Sequence, residues 1–265
     1  MPKRSALKPC ASRLKLFFLH GFAGSNRDWD FYLQALSEKD DCLAPDLPGH
    51  GANGSPIGSF SETVSQLKSL CLAEPKGNWV LIGYSLGARL ALALALEPEL
   101  RPHLQGLVLI SGSPGLKTQA ERFSRQNWEN QWAEAFQKAP LAETFAQWYA
   151  QDLFGRLQDR PMFKHLQARR EANSGQKLAE SLLRLGSGSQ PLLWGHLPEL
   201  QLPCLCLCGE EDSRYVALNA EMVALMPQAE VKILTGVAHA LHLEDPPSTL
   251  KALLPFLEKR RALLK

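Results

Sequence analysis

The sequence predicts an α/β fold in which helices flank a mostly parallel central sheet and a helical cap is inserted between two strands. Three observations predict it. Short apolar runs alternate with longer segments of helical periodicity, a pattern typical of β-α-β units. The stretch from about 114 to about 203 interrupts that alternation. Finally, 265 residues, of which 45% are hydrophobic, are enough to bury a large core within one domain spanning 1–265.

The candidate strands are apolar runs of about five or six residues, the usual length of buried strands. Helical periodicity occupies the segments between them, and the last helix candidate begins with prolines that suit a first turn. The predicted strands are Leu14–Leu19, Asp41–Pro45, Trp79–Gly83, Leu107–Ser111, Cys204–Gly209 and Glu230–Leu234. The predicted helices are Asn26–Leu36, Ser59–Leu72, Ser85–Leu96, Tyr215–Met226 and Pro247–Arg261.

The interrupting stretch, at about 114–203, shows helical periodicity and no convincing strand, and we interpret it as the helical cap. It is rich in aromatic and basic side chains. Most of the aromatic side chains are explained as the core of the cap itself, and a contribution to a ligand site is the alternative. The side chains concerned are Trp128, Trp132, Phe136, Phe145, Trp148, Tyr149 and Phe154, together with Arg122, Arg125, Arg169 and Arg170.

A possible catalytic turn occurs at Gly83-Tyr84-Ser85-Leu86-Gly87, which fits the pattern G-x-S-x-G between an apolar run and an Ala/Leu-rich helix candidate. In that context the pattern predicts a tight strand-to-helix turn that holds a serine in a strained conformation. Glycines flank the serine because side chains there would collide with the neighbouring strand and helix. The backbone N–H of Leu86 and the positive end of the helix dipole can then stabilise developing negative charge. Ser85 is therefore the candidate nucleophile or base.

Two further turns follow strands. His20-Gly21-Phe22-Ala23-Gly24 comes directly after the first strand, where the backbone N–H of Phe22 can be the second donor of an oxyanion hole. A plain strand-to-helix turn is the alternative for this segment. Asp46-Leu47-Pro48-Gly49-His50-Gly51 follows the second strand, and we predict that Asp46 and His50 hold this loop by hydrogen bonds and do not react.

A serine hydroxyl needs a base, and the base needs an acid that fixes its tautomer. Asp212 follows the strand Cys204–Gly209, and His239 follows the strand Glu230–Leu234. The chain order of serine, acid and histidine is the one expected of an α/β hydrolase. We therefore predict a triad of Ser85, His239 and Asp212.

Nearby residues of the same types leave alternatives open. Glu210 and Glu211 precede Asp212 directly and could orient the histidine in its place. His242 follows His239 closely and could be the base. The spacings G-x-x-D and G-x-x-H favour Asp212 and His239.

The segments LHGFAGS, DLPGHG, GYSLGAR, CGEED and GVAHALHLEDP resemble the α/β-hydrolase superfamily and span most of the chain outside the cap. Within that superfamily the sequence is most similar to the 2-succinyl-6-hydroxy-2,4-cyclohexadiene-1-carboxylate synthase family of menaquinone and phylloquinone biosynthesis. This narrower resemblance rests on Arg89 in GYSLGAR, Trp148 in QWYAQDLF, Arg170, Asn173 and Gly175 in RREANSG, and the segment LCGEEDSRY.

The resemblance implies a carbon–oxygen lyase that eliminates pyruvate from a succinylated, enolpyruvyl-bearing cyclohexene carboxylate without hydrolysis. In such a reaction the triad abstracts a proton, and the oxyanion hole stabilises charge on the conjugated system. A polycarboxylate substrate requires guanidinium groups and aromatic surfaces, for which the candidates are Arg89, Arg125, Arg170, Tyr84 and Trp148. We expect removal of Arg89 or Arg170 to weaken substrate capture far more than it weakens the fold.

The sequence departs from the family pattern at two positions. Asn130 stands where a basic residue is expected before Gln131 and Trp132, so one substrate-contacting arginine is absent or is supplied by Arg125. Ala88 replaces a common glycine, a change that a helix tolerates. Arg89 also has the alternative role of a helix-surface residue.

Two other functions are compatible with parts of the pattern. A serine esterase or thioesterase would use the same triad to form an acyl-enzyme, and it is the alternative enzymatic function. A non-catalytic binding protein on this scaffold is the third hypothesis, which the intact triad pattern disfavours.

Composition argues against several other classes. The formal net charge is only +2, so no nucleic-acid partner is expected. The sequence has neither a phosphate-binding loop nor a dinucleotide motif, and we expect no cofactor and no metal. It has no apolar run of about 18 residues, and its six cysteines include no C-x-x-C pair, which favours a cytoplasmic protein without membrane insertion. The expected partner is a small polycarboxylate, bound by a monomer or a small homo-oligomer.

Overall fold

The structure is a computed structural model that describes residues 13–74 and 77–264. Its six strands are β1 (Lys15–Leu19), β2 (Asp41–Leu43), β3 (Trp79–Tyr84), β4 (Leu104–Ile110), β5 (Cys204–Gly209) and β6 (Ala229–Leu234). They form one sheet in the order β2-β1-β3-β4-β5-β6, and every neighbouring pair in it is parallel. The predicted α/β fold is confirmed.

Helices cover both faces of the sheet and the segment between β4 and β5. They are α1 (Asp30–Leu36), α2 (Phe60–Leu72), α3 (Leu86–Leu96), α4 (Gln119–Lys138), α5 (Leu141–Tyr149), α6 (Phe163–Glu171), α7 (Gly175–Leu185), α8 (Ser213–Leu225), α9 (Leu241–Glu244) and α10 (Pro246–Ala262). None of the helices in the described ranges combines the length and the apolar character needed to span a membrane.

The predicted bounds differ from the observed ones mainly at element ends. The first predicted helix begins as a 3-10 turn over Asn26–Trp29, and only Asp30–Leu36 is α-helical. Strand β4 begins at Leu104, before the predicted start at Leu107. The prediction started too late because Gly106 interrupts the apolar run. A Cβ atom on Gly106 would lie 2.8 Å from the ring of Phe256 in α10, so close helix packing explains the glycine.

Alternating side chains of the strands feed two apolar layers, one on each face of the sheet. Leu16 and Phe18 of β1 belong to one layer, and Phe17 and Leu19 to the other. Every residue of β3 and β5 is buried, as expected of strands in the middle of a parallel sheet. Because the strands are all parallel, the carboxyl ends of β1, β3, β5 and β6 lie at the same edge of the sheet. Ligand sites of open α/β sheets lie at this edge.

The segment 114–203 contains the helices α4 to α7 and no strand, as the sequence indicates for the cap. Helix α4 begins with a capping box, in which Thr118 and Glu121 satisfy each other's backbone N–H groups. Part of the aromatic set forms the core of the cap, since Phe136 and Phe145 are buried with their rings 5.2 Å apart. Trp148 contacts Phe136 and also faces the cavity described below.

The loop after β2 is held by the residues expected to hold it. Asp46 accepts hydrogen bonds from the backbone N–H groups of Asn26, at 2.7 Å, and Ala52, at 2.8 Å. His50 is buried, and burial lowers the pKa of its imidazole to about 3. The cap also binds this loop, because the Gly51 N–H donates to the side-chain oxygen of Asn173 at 3.0 Å.

Candidate active site

Ser85 lies on a strained turn between β3 and α3, with φ of 50° and ψ of −107°. This left-handed φ is rare for residues with a side chain and stores backbone strain. The flanking glycines are required by close packing. A Cβ atom on Gly83 would lie 2.3 Å from the carbonyl oxygen of Gly87, and one on Gly87 would lie 2.0 Å from that of Leu19. The packing of β1, β3 and α3 therefore fixes the position of the serine.

His239 lies within hydrogen-bond distance of both other predicted triad residues. His239 Nε2 is 3.1 Å from Ser85 Oγ, and His239 Nδ1 is 2.8 Å from Asp212 Oδ2. An ionised carboxylate only accepts hydrogen bonds, so Nδ1 carries the proton and Nε2 accepts from the serine hydroxyl. The other oxygen of Asp212 accepts from the Tyr215 N–H at 3.2 Å. The arrangement can move a proton from the serine to the imidazole.

The residues considered as alternatives to Asp212 and His239 have different surroundings. Glu210 and Glu211 are exposed, whereas Asp212 is buried. His242 is fully buried between the rings of Trp29 and Tyr84, at centroid distances of 4.9 Å and 4.1 Å. Burial lowers the pKa of His242 to about 3, so its imidazole is neutral at physiological pH.

The two predicted oxyanion-hole residues face the same cavity as Ser85. Leu86 is the first residue of α3, so its N–H has no partner within the helix. Among the described residues, neither the Leu86 N–H nor the Phe22 N–H donates a hydrogen bond to another protein group. Both amides are therefore available to a ligand oxygen.

A cavity of about 690 Å³ lies between the sheet edge and the cap, a volume typical of sites for small molecules. All the predicted ligand-contacting residues line it, namely Tyr84, Arg89, Arg125, Trp148 and Arg170, together with Phe22, Ser85, Leu86 and His239. Asp212 lies behind His239 and does not line it. Among the described residues, no group of three or more His, Cys, Asp or Glu side chains is arranged to hold a metal ion.

Arg89 is a buried cation without a carboxylate partner in the described part of the chain. It is 7% exposed, and its Nη1 donates to Leu185 O at 2.9 Å and to Gln190 Oε1 at 3.4 Å. No carboxylate oxygen of the described residues lies within ion-pairing distance of it. Burial lowers the pKa of the guanidinium to about 10. The Arg89 N–H donates to the carbonyl of Ser85 at 3.0 Å, and both side chains line the cavity.

Arg125 and Arg170, by contrast, have protein partners. Arg125 donates from Nε to Glu129 Oε1 at 2.7 Å and stacks on the Trp128 ring, 4.0 Å from its centroid. Arg170 forms two hydrogen bonds with buried Asp28, at 2.9 Å and 2.7 Å. Burial alone would lower the pKa of Arg170, but the Asp28 charge outweighs it and raises that pKa.

The structure changes the expectation for Arg170. Its third donor group, Nε, bonds to Tyr149 Oη at 3.0 Å, so each nitrogen of the guanidinium already has a protein partner. Removing Arg170 would leave the Asp28 carboxylate buried beside Arg169 alone. We therefore expect the fold as well as substrate capture to suffer, in contrast to the expectation from the sequence.

Sequence reasoning missed Asp28 and Gln190 and named Tyr149 only as a cap aromatic. Asp28 lies in the 3-10 turn after β1, and no local pattern there indicates a buried charge. Its partner Arg170 is 142 positions away, a separation across which a single sequence does not show pairing. Tyr149 accepts from Arg170, so its own hydroxyl proton is free to donate into the cavity that it lines.

A model of the alpha/beta hydrolase family matches residues 16–252 of the chain. The chain is 35% identical over 246 residues to the 2-succinyl-6-hydroxy-2,4-cyclohexadiene-1-carboxylate synthase of Salmonella schwarzengrund, covering 91% of this chain and 93% of the relative. The synthase of the same name from Salmonella paratyphi C matches with the same identity and coverage.

Two solved structures are similar to the chain. MenH from S. aureus superposes with a TM-score of 0.90 at 27% identity, covering 96% of both chains. A thermophilic esterase from Thermogutta terrifontis superposes with a TM-score of 0.79 at 21% identity, covering 95% of this chain and 92% of the esterase. The second similarity shows the fold alone.

Proposed function

The chain belongs to the alpha/beta hydrolase family, and on that premise we propose that it forms 2-succinyl-6-hydroxy-2,4-cyclohexadiene-1-carboxylate in menaquinone or phylloquinone biosynthesis. The reaction is the elimination of pyruvate from a succinylated, enolpyruvyl-bearing cyclohexene carboxylate. Ser85, His239 and Asp212 form its proton-transfer relay, and the enzyme is a carbon–oxygen lyase.

One observation supports this function over ester hydrolysis, namely that Arg89, in the wall of the cavity, has no carboxylate partner among the residues that the structure describes. Burying a guanidinium without a carboxylate partner costs desolvation free energy in the folded protein. Such a cost is expected where a ligand supplies the missing carboxylate. A ligand carboxylate would relieve the penalty by accepting two parallel hydrogen bonds. A neutral ester would leave the cation unpaired. The substrate proposed here carries several carboxylates.

The relay would begin the reaction with Ser85 losing its proton to His239 Nε2 as its oxygen takes a proton from a ring carbon of the substrate. The electron pair of the broken C–H bond moves through the conjugated system and expels the enolpyruvyl oxygen, so that the C–O bond breaks. The leaving enolpyruvate takes up a proton at carbon and becomes pyruvate, and the imidazolium of His239 gives up that proton, which returns the relay to its starting state. The Asp212 carboxylate stabilises the imidazolium that forms meanwhile.

Other residues of the cavity complete the proposal. The N–H groups of Phe22 and Leu86 stabilise negative charge that develops on the conjugated carboxylate. Arg125 uses only Nε for Glu129, so its two Nη groups can bind a further substrate carboxylate. Tyr84 and Trp148 provide apolar surfaces for the ring.

The test is release of pyruvate from the succinylated substrate, followed through a coupled lactate dehydrogenase. We expect turnover by the wild type and none above background by Ser85→Ala. Asp212→Asn keeps the shape of the site but loses control of the tautomer, so kcat should fall by about 10³-fold or more. A wild type that releases no pyruvate contradicts the proposal.

A serine esterase or thioesterase is the second candidate function, because the same relay could form an acyl-enzyme. A chromogenic short-chain ester, assayed in parallel, separates the two candidates. Ready ester turnover without pyruvate would favour the hydrolase. Substitution of Arg89 discriminates further, since it should impair the lyase reaction and leave turnover of a neutral ester nearly unchanged.

A further inference from the structure

The loop that carries His239 is bound at its backbone by a buried carboxylate outside the relay. Glu244, in the short helix α9, has a fully buried side chain. Its two oxygens accept from the backbone N–H of Ala238, at 3.2 Å and 3.0 Å. Ala238 directly precedes the histidine, so the position of the carboxylate affects the peptide that orients the imidazole.

A cation from the cap binds the same loop. Arg160 follows the 3-10 turn Leu157–Asp159, and its Nη2 donates to Gly236 O at 2.6 Å. The same nitrogen is 3.8 Å from Glu244 Oε2. The cation therefore binds a carbonyl of the loop, the anion binds an N–H of the loop, and the two side chains attract each other.

Other polar backbone groups of the loop are also bound. The His239 N–H donates to Leu153 O of the cap at 3.3 Å, and its carbonyl accepts from Ser111 Oγ at 2.8 Å. Ser111 has a left-handed φ of 49°, a strained conformation that the surrounding structure maintains. The Val237 carbonyl accepts from the Glu211 N–H at 3.1 Å. Two of the groups that bind the loop, those of Arg160 and Leu153, belong to the cap.

We propose that Arg160 and Glu244 are positioning residues that hold the loop of His239 so that its imidazole stays within reach of both Ser85 and Asp212. This inference rests on the proposed function only in taking His239 as the base. A shift of about 1 Å would take Nε2 beyond hydrogen-bond reach of the serine, and misplacement of that size can reduce a rate by about 10²-fold. The cap thus contributes to catalysis through the position of the base as well as through the walls of the cavity.

Arg160→Met tests the proposal, with Arg160→Lys as the conservative variant and Arg156→Met as the control. Arg156 is a cap arginine of the same region whose side chain is 78% exposed and pairs with Asp159. We expect Arg160→Met to lower kcat by about tenfold to a hundredfold with KM within about twofold of the wild type. The lysine ammonium can still donate to Gly236 O, so Arg160→Lys should recover most of kcat. Arg156→Met should behave as the wild type.

Labelling of Ser85 by a small alkyl fluorophosphonate gives a second readout, because it needs the base but not the proposed substrate. Arg160→Met should be labelled more slowly than the wild type by the same factor as its loss of kcat. Equal labelling rates, or an Arg160→Lys variant as impaired as Arg160→Met, would overturn the positioning role. A wild type that is labelled but releases no pyruvate contradicts the proposed function alone. A wild type that does neither contradicts both.

Glu244→Gln provides an independent variant should the arginine variants fold poorly. The amide oxygen can still accept from Ala238, but the negative charge facing Arg160 is lost. We expect a smaller decrease in kcat, about threefold to tenfold, again with little change in KM. An unchanged kcat and an unchanged labelling rate in Glu244→Gln and Arg160→Met together would refute the inference.

Discussion

Two buried arginines of the cavity should respond in opposite ways to the same substitution, because only Arg89 lacks a carboxylate partner within the described residues. Burial lowers the pKa of Arg89 to about 10, which corresponds to about 3 kcal/mol of desolvation carried by the folded state. Arg89→Met removes that penalty. It also removes hydrogen bonds to Leu185 and Gln190, worth about 1 kcal/mol each. The free energy of unfolding should therefore stay unchanged or rise by about 1 kcal/mol.

Arg170→Met should instead destabilise the protein. It leaves the carboxylate of Asp28, which is 4% exposed, with Arg169 as its remaining cationic partner at 3.1 Å. Breaking a buried ion pair from one side destabilises by about 3 kcal/mol or more. The double variant Asp28→Asn/Arg170→Met should recover part of this loss, because it removes the buried charge as well.

An activity assay tests whether Arg89 binds the substrate. A desolvated contact between the Arg89 guanidinium and a substrate carboxylate is worth about 3 kcal/mol, so kcat/KM for pyruvate release should fall by about a hundredfold or more in Arg89→Met. Urea unfolding followed by circular dichroism gives the stabilities, and exposed Arg156→Met is the control for both assays. If Arg89→Met and Arg170→Met are equally destabilised, or if Arg89→Met keeps kcat/KM within about threefold of the wild type, the interpretation of Arg89 as a ligand-binding cation is wrong.

Two further predictions concern the packing around the relay. Gly87→Ala should give insoluble or unfolded protein, since its Cβ atom would lie 2.0 Å from the carbonyl oxygen of Leu19, whereas Gly54→Ala, with no atom within 4 Å, should express and melt as the wild type does. His242 has a folded pKa of about 3, below that of the unfolded chain, so the unfolded state binds more protons between about pH 6.5 and pH 3 and stability falls on acidification through that window. His242→Phe should reduce the loss of unfolding free energy between pH 7 and pH 5 by about 2 kcal/mol, measured by urea titrations at both pH values, and an unchanged loss would show that this imidazole is not held neutral.

The parts of the fold that a single sequence predicts are those set by local periodicity and turn chemistry. The interior strands β3 and β5 are continuous apolar runs, and their predicted bounds agree with the observed ones to within a residue. The serine turn was predictable because two glycines and a strand–helix context describe a backbone conformation, which the φ of 50° at Ser85 displays. The start of β4 was missed because Gly106 serves packing against α10 and breaks the local pattern.

The parts that a single sequence does not predict are the pairings between distant side chains. Composition identifies the arginines of the cap, but it does not tell which of them has a carboxylate partner. Arg125 meets Glu129 four positions away, a separation typical of helix pairs. Arg170 meets Asp28 across most of the domain, and Arg89 meets no acid among the described residues. The outcomes for Arg170 and Arg89 come from tertiary structure alone, and all three outcomes determine what each substitution should do.

The charge balance of the cavity finally bears on how the substrate is oriented. Asp28 neutralises Arg170, and Glu129 partly neutralises Arg125. Arg89 has no carboxylate partner within 13–74 and 77–264, so its charge is the strongest attraction for a carboxylate deep in the site. The Arg89 N–H donates to the carbonyl of Ser85, and both side chains line the cavity. In the proposed reaction, a carboxylate bound to Arg89 would therefore hold the carbons next to it in the same cavity as the hydroxyl of Ser85. That arrangement would suit removal of a proton from a carbon close to a carboxylate, which is the role proposed for the relay in place of the acyl transfer of esterases.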